Sequence, residues 1–203
     1  MTETSKLVVP QVPQLTFDTS CIVSLLGRDN TPADEFTALR QILEWERLGK
    51  VRIWISEKSR TESQLNLQIA RDNKGVETER IHKWIETLLH LNKYPVTKAI
   101  WILGISKAGV DTVPASDEQG QIYDEMMSDI FPDKDLRAMR KGDVYDMAIL
   151  FEHYLQENDL FVTRDTKSVL KAKVKTELRK KWGIRIVSPI EALTVLQSDY
   201  GLA

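Results

Sequence analysis

One cysteine, three histidines and no glycine-rich loop remove several kinds of chemistry from this 203-residue chain. Cys21 alone can form neither an internal disulfide nor a cysteine zinc cluster. No histidine stands near it in sequence to act as a base, so it reads as a small buried residue. His82, His90 and His153 are scattered and make no close ligand pair. Neither G-x-G-x-x-G nor the Walker pattern occurs, which argues against dinucleotide and P-loop sites. No apolar stretch is long enough to span a membrane, and Met1–Pro13 lacks the charged start and apolar run of a signal peptide. A cytoplasmic protein without a membrane partner is therefore expected. The formal net charge of −2 supplies no general attraction for nucleic acid, so any such binding must come from local patches.

What is present is a globular balance, 42% hydrophobic and 29% charged, in a length that suits one well-buried domain with an insertion. Leu15–Phe17 reads as a strand ending at Asp18, followed by a helix over Cys21–Leu26. Thr31 is a candidate cap, Pro32 fits a first helical position, and Phe36, Leu39 and Leu43 recur at helical spacing until Gly49. Val51–Ile55 alternates as a second strand. Helices are expected from Ser59 through Ile69 and over Val76–Leu91. Lys98–Ile105 is a continuous apolar run of buried-strand type, and Gly109–Gly120 is a polar loop. Ile122–Ile130 is a short helix and Asp143–Glu157 an amphipathic one. Leu160–Thr163 is a strand ending at Arg164-Asp165. Lys167–Lys181 is a basic helix, Ile184–Val187 a last strand, and Pro189–Leu196 a last helix.

Alternating strands and helices predict an α/β fold: a three-layer α/β/α sandwich around a central, mostly parallel sheet of about five strands. The expected organisation is an N-terminal extension over 1–14, a single domain over 15–198 with an enlarged region over 71–140, and a loose tail over 199–203.

Ligands of open α/β sheets bind beyond the carboxyl ends of the strands. Two strands here end there in an acid, at Asp18 and at Asp165. Two such carboxylates repel each other unless a divalent cation lies between them. Asp143 and Asp146, three apart, share one side of a helical first turn; Asp143 also suits an N-cap after Gly142. Asp146 adjoins the apolar Met147–Leu150, although a surface position is open to it. Either Glu57 or Glu62 can point back over the end of the second strand.

The segments FDTSCIVSLL (Phe17–Leu26), ISEKSRTES (Ile55–Ser63), KGDVYDMAILFEHYLQENDLFVTRDTKSVL (Lys141–Leu170) and WGIRIVSPIEAL (Trp182–Leu193) together resemble the PIN-domain nucleases. The resemblance spans both ends of the domain in the family's order and leaves Arg71–Arg140 uncovered. It implies four metal-binding, catalytic acids: Asp18, Glu62, Asp146 and Asp165, with Glu57 as the fallback for Glu62. Thr19, Ser20, Asp143 and Thr163 are the supporting neighbours. The implied activity is phosphodiester hydrolysis with Mg2+ or Mn2+. RNA is the implied substrate, with DNA left open. A small antitoxin-like inhibitor is the implied protein partner. The additional region Arg71–Arg140, on which the resemblance is silent, is a candidate lid, substrate-selecting surface or dimerisation element, so a homodimer is a further expectation.

Basic residues flank the acids on both sides. Arg140 and Lys141 lie before Asp143; Arg164, Lys167, Lys171 and Lys173 surround Asp165, and Lys175, Arg179, Lys180, Lys181 and Arg185 continue the run. Such a cluster suits phosphate tracking, against the plainer reading of a solvated helix face. Two other classes are weighed. A haloacid-dehalogenase-type phosphatase needs a second aspartate two residues after the first, where this chain has Ser20. A non-catalytic nucleic-acid-binding or scaffold module would not need all four acids.

Overall fold

The computed structural model describes residues 12–25, 31–56, 96–97, 99–101, 112–114, 116–131, 141–165 and 172–203. In chain order the elements are β1 (Gln14–Phe17), α1 (Thr19–Leu25), α2 (Ala33–Arg47), β2 (Arg52–Ser56), β3 (Val96–Thr97), β4 (Ala99–Trp101) and β5 (Thr112–Pro114). They continue with α3 (Asp117–Ile130), α4 (Lys141–Leu155), β6 (Leu160–Val162), α5 (Ala172–Trp182), β7 (Ile186–Val187) and α6 (Pro189–Tyr200).

Five strands pair in the order β3-β2-β1-β6-β7, every pair parallel. Parallel neighbours need crossovers, and the helices that provide them cover both faces. Two-residue alternation sorts the strand side chains. Leu15, Phe17, Ile53, Ile55, Leu160 and Val162 enter one core with Leu39, Ile42 and Trp45 of α2 and Leu196 of α6. Phe161 and Ile186 point the other way, into a second core with Met126 of α3, Met147 and Phe151 of α4, and Leu178 of α5. The chain is thus the helix–sheet–helix sandwich that the alternation of elements predicts. Burying each large core side chain contributes about 1.5–3 kcal/mol.

Several local expectations change. Thr31 is not the cap of α2: Pro32 holds the cap position without a side-chain hydrogen bond, and the helix starts at Ala33. Gly49 ends this segment as expected, in the left-handed region at φ 70°. The run Lys98–Ile105 does not enter the main sheet as one strand. Val96–Thr97 pairs with β2, whereas Ala99–Trp101 pairs with Thr112–Pro114 in a separate two-stranded sheet. The supposed loop Gly109–Gly120 therefore contains a strand, whose Thr112 and Val113 are β-branched. It also contains the start of α3, where Ser116 and Gln119 form a capping box. Asp143 lies inside the first turn of α4 rather than at its cap.

The stretch 199–203 is docked. Helix α6 runs on to Tyr200 and closes on Gly201 at φ 66°. Leu202 packs on the first core. The Ala203 oxygen accepts hydrogen bonds from Trp45 Nε1 at 3.2 Å and Lys50 Nζ at 3.1 Å.

A buried polar cluster ties α4 to the central strand. Thr16 Oγ1 accepts a hydrogen bond from Asn158 Nδ2 at 2.8 Å and lies 2.9 Å from His153 Nδ1. Burial holds His153 neutral, with its pKa pushed down to about 3. We assign the Thr16 hydroxyl proton to Nδ1, which leaves the ring proton on Nε2.

Candidate active site

Strand β1 connects to β2 on one side, while β6 lies on its other side and leads to β7. The chain therefore changes direction between β1 and β6. At such a switch point the connections diverge and open a crevice beyond the carboxyl ends of the strands. Asp18 follows β1 directly, and Thr163-Arg164-Asp165 follows β6.

Asp18 is buried, 5% exposed, and its backbone N–H donates to Val162 O at 3.0 Å. Its Oδ2 accepts hydrogen bonds from Ser20 Oγ and Thr163 Oγ1, each at 2.7 Å, and its Oδ1 accepts the Thr19 N–H at 2.7 Å. Each hydroxyl also accepts from a backbone amide. Ser20 Oγ accepts the Arg164 N–H at 3.0 Å, and Thr163 Oγ1 accepts the Asp165 N–H at 3.0 Å. Backbone amides only donate, so each hydroxyl is left its single proton to give, to Asp18 at 2.7 Å or to the other hydroxyl at 3.3 Å. Two adjacent turns are thereby wired onto one carboxylate oxygen.

Burial raises the Asp18 pKa above its ordinary value, and the Thr163, Ser20 and Thr19 hydrogen bonds oppose the rise without cancelling it. Among the described residues no cation forms an ion pair with Asp18. Ser20 and Thr163 act through their hydroxyls. Thr19 acts through its amide, and its own buried hydroxyl has no hydrogen-bond partner among the described residues.

Asp165 and Asp146 are both half-buried. Asp146 precedes His153 by seven residues, two helical turns, and so shares the stripe of α4 that meets β1 at Thr16. Helix α4 runs toward the amino ends of the strands, because β6 begins five residues after Leu155. Asp146 therefore lies about 10 Å from His153 toward the carboxyl edge, and Asp18 about 7 Å from Thr16 in the same direction. The two acids reach similar levels of the sheet edge. Asp143, also buried at 5% exposure, sits one turn nearer the start of α4.

Glu57, Glu62, Arg140, Lys167 and Lys171 lie outside the described residues, and Lys141 is described only in its backbone. Among the described residues no three His, Cys, Asp or Glu side chains converge as a metal-holding group. The acids at the crevice offer oxygen alone, which suits a hard divalent cation of the Mg2+ or Mn2+ kind.

Much of the basic cluster is engaged within the fold. Lys175 pairs with Glu191 at 2.9 Å, Lys181 with Asp129 at 2.9 Å and Arg185 with Asp199 at 2.7 Å. Lys173 is exposed at the start of α5. Arg164, read from the sequence as a nucleic-acid contact, turns its guanidinium onto Glu35 Oε2 of α2 and Ser24 Oγ of α1, each at 2.5 Å. Sequence reasoning missed Glu35 and Ser24, because nothing local links them to a turn more than a hundred residues away. Their side chains bridge both helices to the Thr163–Asp165 turn. Arg164→Ala is expected to cost about 1.5–3 kcal/mol, the range for hydrogen bonds to charged groups. Removing the exposed Arg47 should leave the urea midpoint nearly unchanged. Equal midpoints for the two variants would refute the bridge.

Cys21 is buried, as its sequence context suggests. Its thiol contacts Val162 O at 3.3 Å, and burial pushes its pKa well up.

No protein family matches the chain, and no curated protein matches it. A solved structure, that of VapBC2 from Rickettsia felis bound to a DNA fragment from their promoter, is similar to it with a TM-score of 0.48. It is 11% identical and covers 86% of this chain and 98% of that one. A likeness at that level fixes neither family nor activity.

Proposed function

We propose that the chain is a divalent-metal-dependent nuclease of the PIN type acting on RNA. The carrying observation is the buried Asp18 carboxylate, wired by Ser20 and Thr163 to the turn that bears Asp165, at the switch point of the parallel sheet. An ionised carboxylate held out of water without a cationic partner is costly, and a bound divalent cation offsets that cost. Asp18, Asp165 and Asp146 are the residues that would hold the ion, with Glu62 or Glu57 completing the shell. When bound, Mg2+ or Mn2+ supplies an activated water and stabilises charge on the phosphodiester oxygens.

The residues of the chain have separate tasks around it. The amide–hydroxyl–carboxylate links keep Asp18 oriented without reorganisation. Arg164 braces the Asp165 turn through Glu35 and Ser24. Lys173, exposed at the start of α5, is the described cation assigned here to backbone phosphates. Ser20 stands where a phosphatase of the haloacid dehalogenase type needs its second aspartate, and its hydroxyl is engaged by Asp18 and the Arg164 amide. The acid–base group of such a phosphatase is therefore missing at this position. A metal-independent RNA-binding module is the second reading, which the exposed Lys173 would serve equally.

End-labelled single-stranded RNA incubated with the purified chain should be cut in Mn2+ or Mg2+, spared in chelator, and cut again when excess metal is restored. A matched DNA strand tests the choice of substrate. RNA that is retained in a shift assay but never cut, with metal or without, would establish the binding module instead.

A further inference from the structure

Phe36 stands where the spacing of apolar residues places a core side chain, and the fold leaves it out. Leu39 is fully buried in the first core and Leu43 packs on it, whereas Phe36 joins neither described core. The inward face of α2 is set by Ala38, Ile42 and Trp45, and Phe36 lies about 120° around the helix from Ile42. Its side chain is half-buried. Arg40, exposed one turn on, holds its guanidinium over the ring at 6.0 Å from the centroid. That is looser than the about 3.5–4.0 Å of van der Waals contact, so the ring face is not sealed.

The place of this pair in the fold gives it meaning. Glu35, the residue before Phe36, holds the Arg164 guanidinium, and Arg164 adjoins Asp165 in the turn after β6. The first turn of α2 is thereby held at the margin of the Asp18 crevice. Charge there does not exclude a nucleic acid. Glu35 is paired with Arg164, and the exposed Asp34 lies about 160° around the helix from Phe36. Glu44, the acid four residues beyond Arg40, is held by Arg47 in two hydrogen bonds. As a mere i,i+4 pair the two residues would stabilise α2 only slightly, while leaving an aromatic ring outside both cores. An aromatic ring and an arginine plane beside such a crevice are the groups on which unpaired bases stack.

We propose that Phe36 and Arg40 form a stacking platform for an unpaired base of single-stranded RNA, next to the phosphodiester that the crevice would hold. The class of ligand rests on the nucleic-acid reading of that crevice. The platform meets the flat face of a base, which all four bases share, so it selects unpaired strands over duplexes rather than one sequence over another.

The probe is a fluorescein-labelled single-stranded RNA of about ten mixed nucleotides, followed on the full chain by polarisation in Ca2+, which takes oxygen ligands, and by cleavage in Mn2+. Saturable binding is expected, weakened about fivefold to 100-fold by Phe36→Leu, the loss of one stacked base. Phe36→Trp restores a ring and should bind as the wild type does. Arg40→Gln should weaken binding severalfold. Neither residue belongs to a described core, so all three variants should melt with the wild type. Where RNA is cut, Phe36→Leu should raise KM and leave kcat nearly unchanged, because stacking is common to the ground and transition states. The platform is overturned if the single strand fails to bind, if Phe36→Leu binds it as tightly as the wild type, or if Phe36→Trp binds as weakly as Phe36→Leu. It is overturned equally if Phe36→Leu dissociates a dimer in sedimentation and leaves RNA binding unchanged, which would assign the ring to a protein interface. Ring-dependent binding without cleavage in Mn2+ would remove the nuclease reading and keep the platform. Cleavage with the same KM and kcat in the wild type and Phe36→Leu would do the reverse.

Discussion

Asp18→Asn should cut metal-dependent RNA cleavage by roughly 100-fold or more, because outer-shell changes alone cost 10–100-fold in metal affinity or activity and Asp18 would be a direct ligand. The same substitution should make the metal-free protein more stable at neutral pH. Burial raises the carboxyl pKa in the folded chain. Between the unfolded value near 3.8 and the raised folded value, the native state binds more protons than the unfolded one. Stability from this group is therefore fully present below about 3.8 and is lost as pH rises through the folded pKa. At neutral pH the buried charge opposes folding, and asparagine removes it. The gain is limited, since one face of the amide must meet donors: the Thr19 N–H, or the pinned Ser20 and Thr163 hydroxyls. Melting curves with and without Mn2+ at pH 7.5 provide the readout. Mn2+ should raise the wild-type melting temperature and leave Asp18→Asn unmoved. An equal Mn2+ shift in both proteins, or undiminished cleavage by the variant, would remove Asp18 from the site.

Acid should destabilise the fold through His153, well before most carboxylates titrate. The imidazole is 1% exposed and its pKa is pushed down to about 3 by burial. The unfolded chain takes up a proton near pH 6.5, whereas the folded chain resists until about 3. Stability from this group is thus fully present above about 6.5 and drains away as pH falls toward 3. At about 1.4 kcal/mol per pH unit, the loss approaches 3 kcal/mol by pH 4.5 and about 5 kcal/mol at full extent. His153→Gln keeps a polar group beside Thr16 and cannot titrate. Urea midpoints at pH 7.5 and 4.5 should fall much further for the wild type than for the variant. Asp199, held low by its Arg185 hydrogen bond, loses its contribution only below the ordinary carboxylate range and is common to both proteins. Parallel declines would show that His153 does not stay neutral in the folded state.

His153 also shows how the crevice is assembled. It fastens α4 to β1 through Thr16, and two turns along the same stripe stands Asp146. The seven-residue spacing was visible in the amino-acid sequence. Its meaning was not, because it depends on which strand the helix crosses.

Local chemistry by itself determined the alternation of strand and helix, the end of the α2 segment at Gly49, and the acids placed just after two strands. Each follows from neighbours a few residues apart, through side-chain periodicity, left-handed glycine geometry and strand length. Only the tertiary structure decided that Ala99–Trp101 leaves the main sheet and that 199–203 docks against Trp45 and Lys50. It alone set Arg164 on Glu35 and closed the Ser20 and Thr163 hydroxyls onto Asp18, with the Arg164 and Asp165 amides behind them. Those contacts join residues more than a hundred positions apart in most cases. Their geometry comes from the order in which parallel strands pack, which no local pattern encodes.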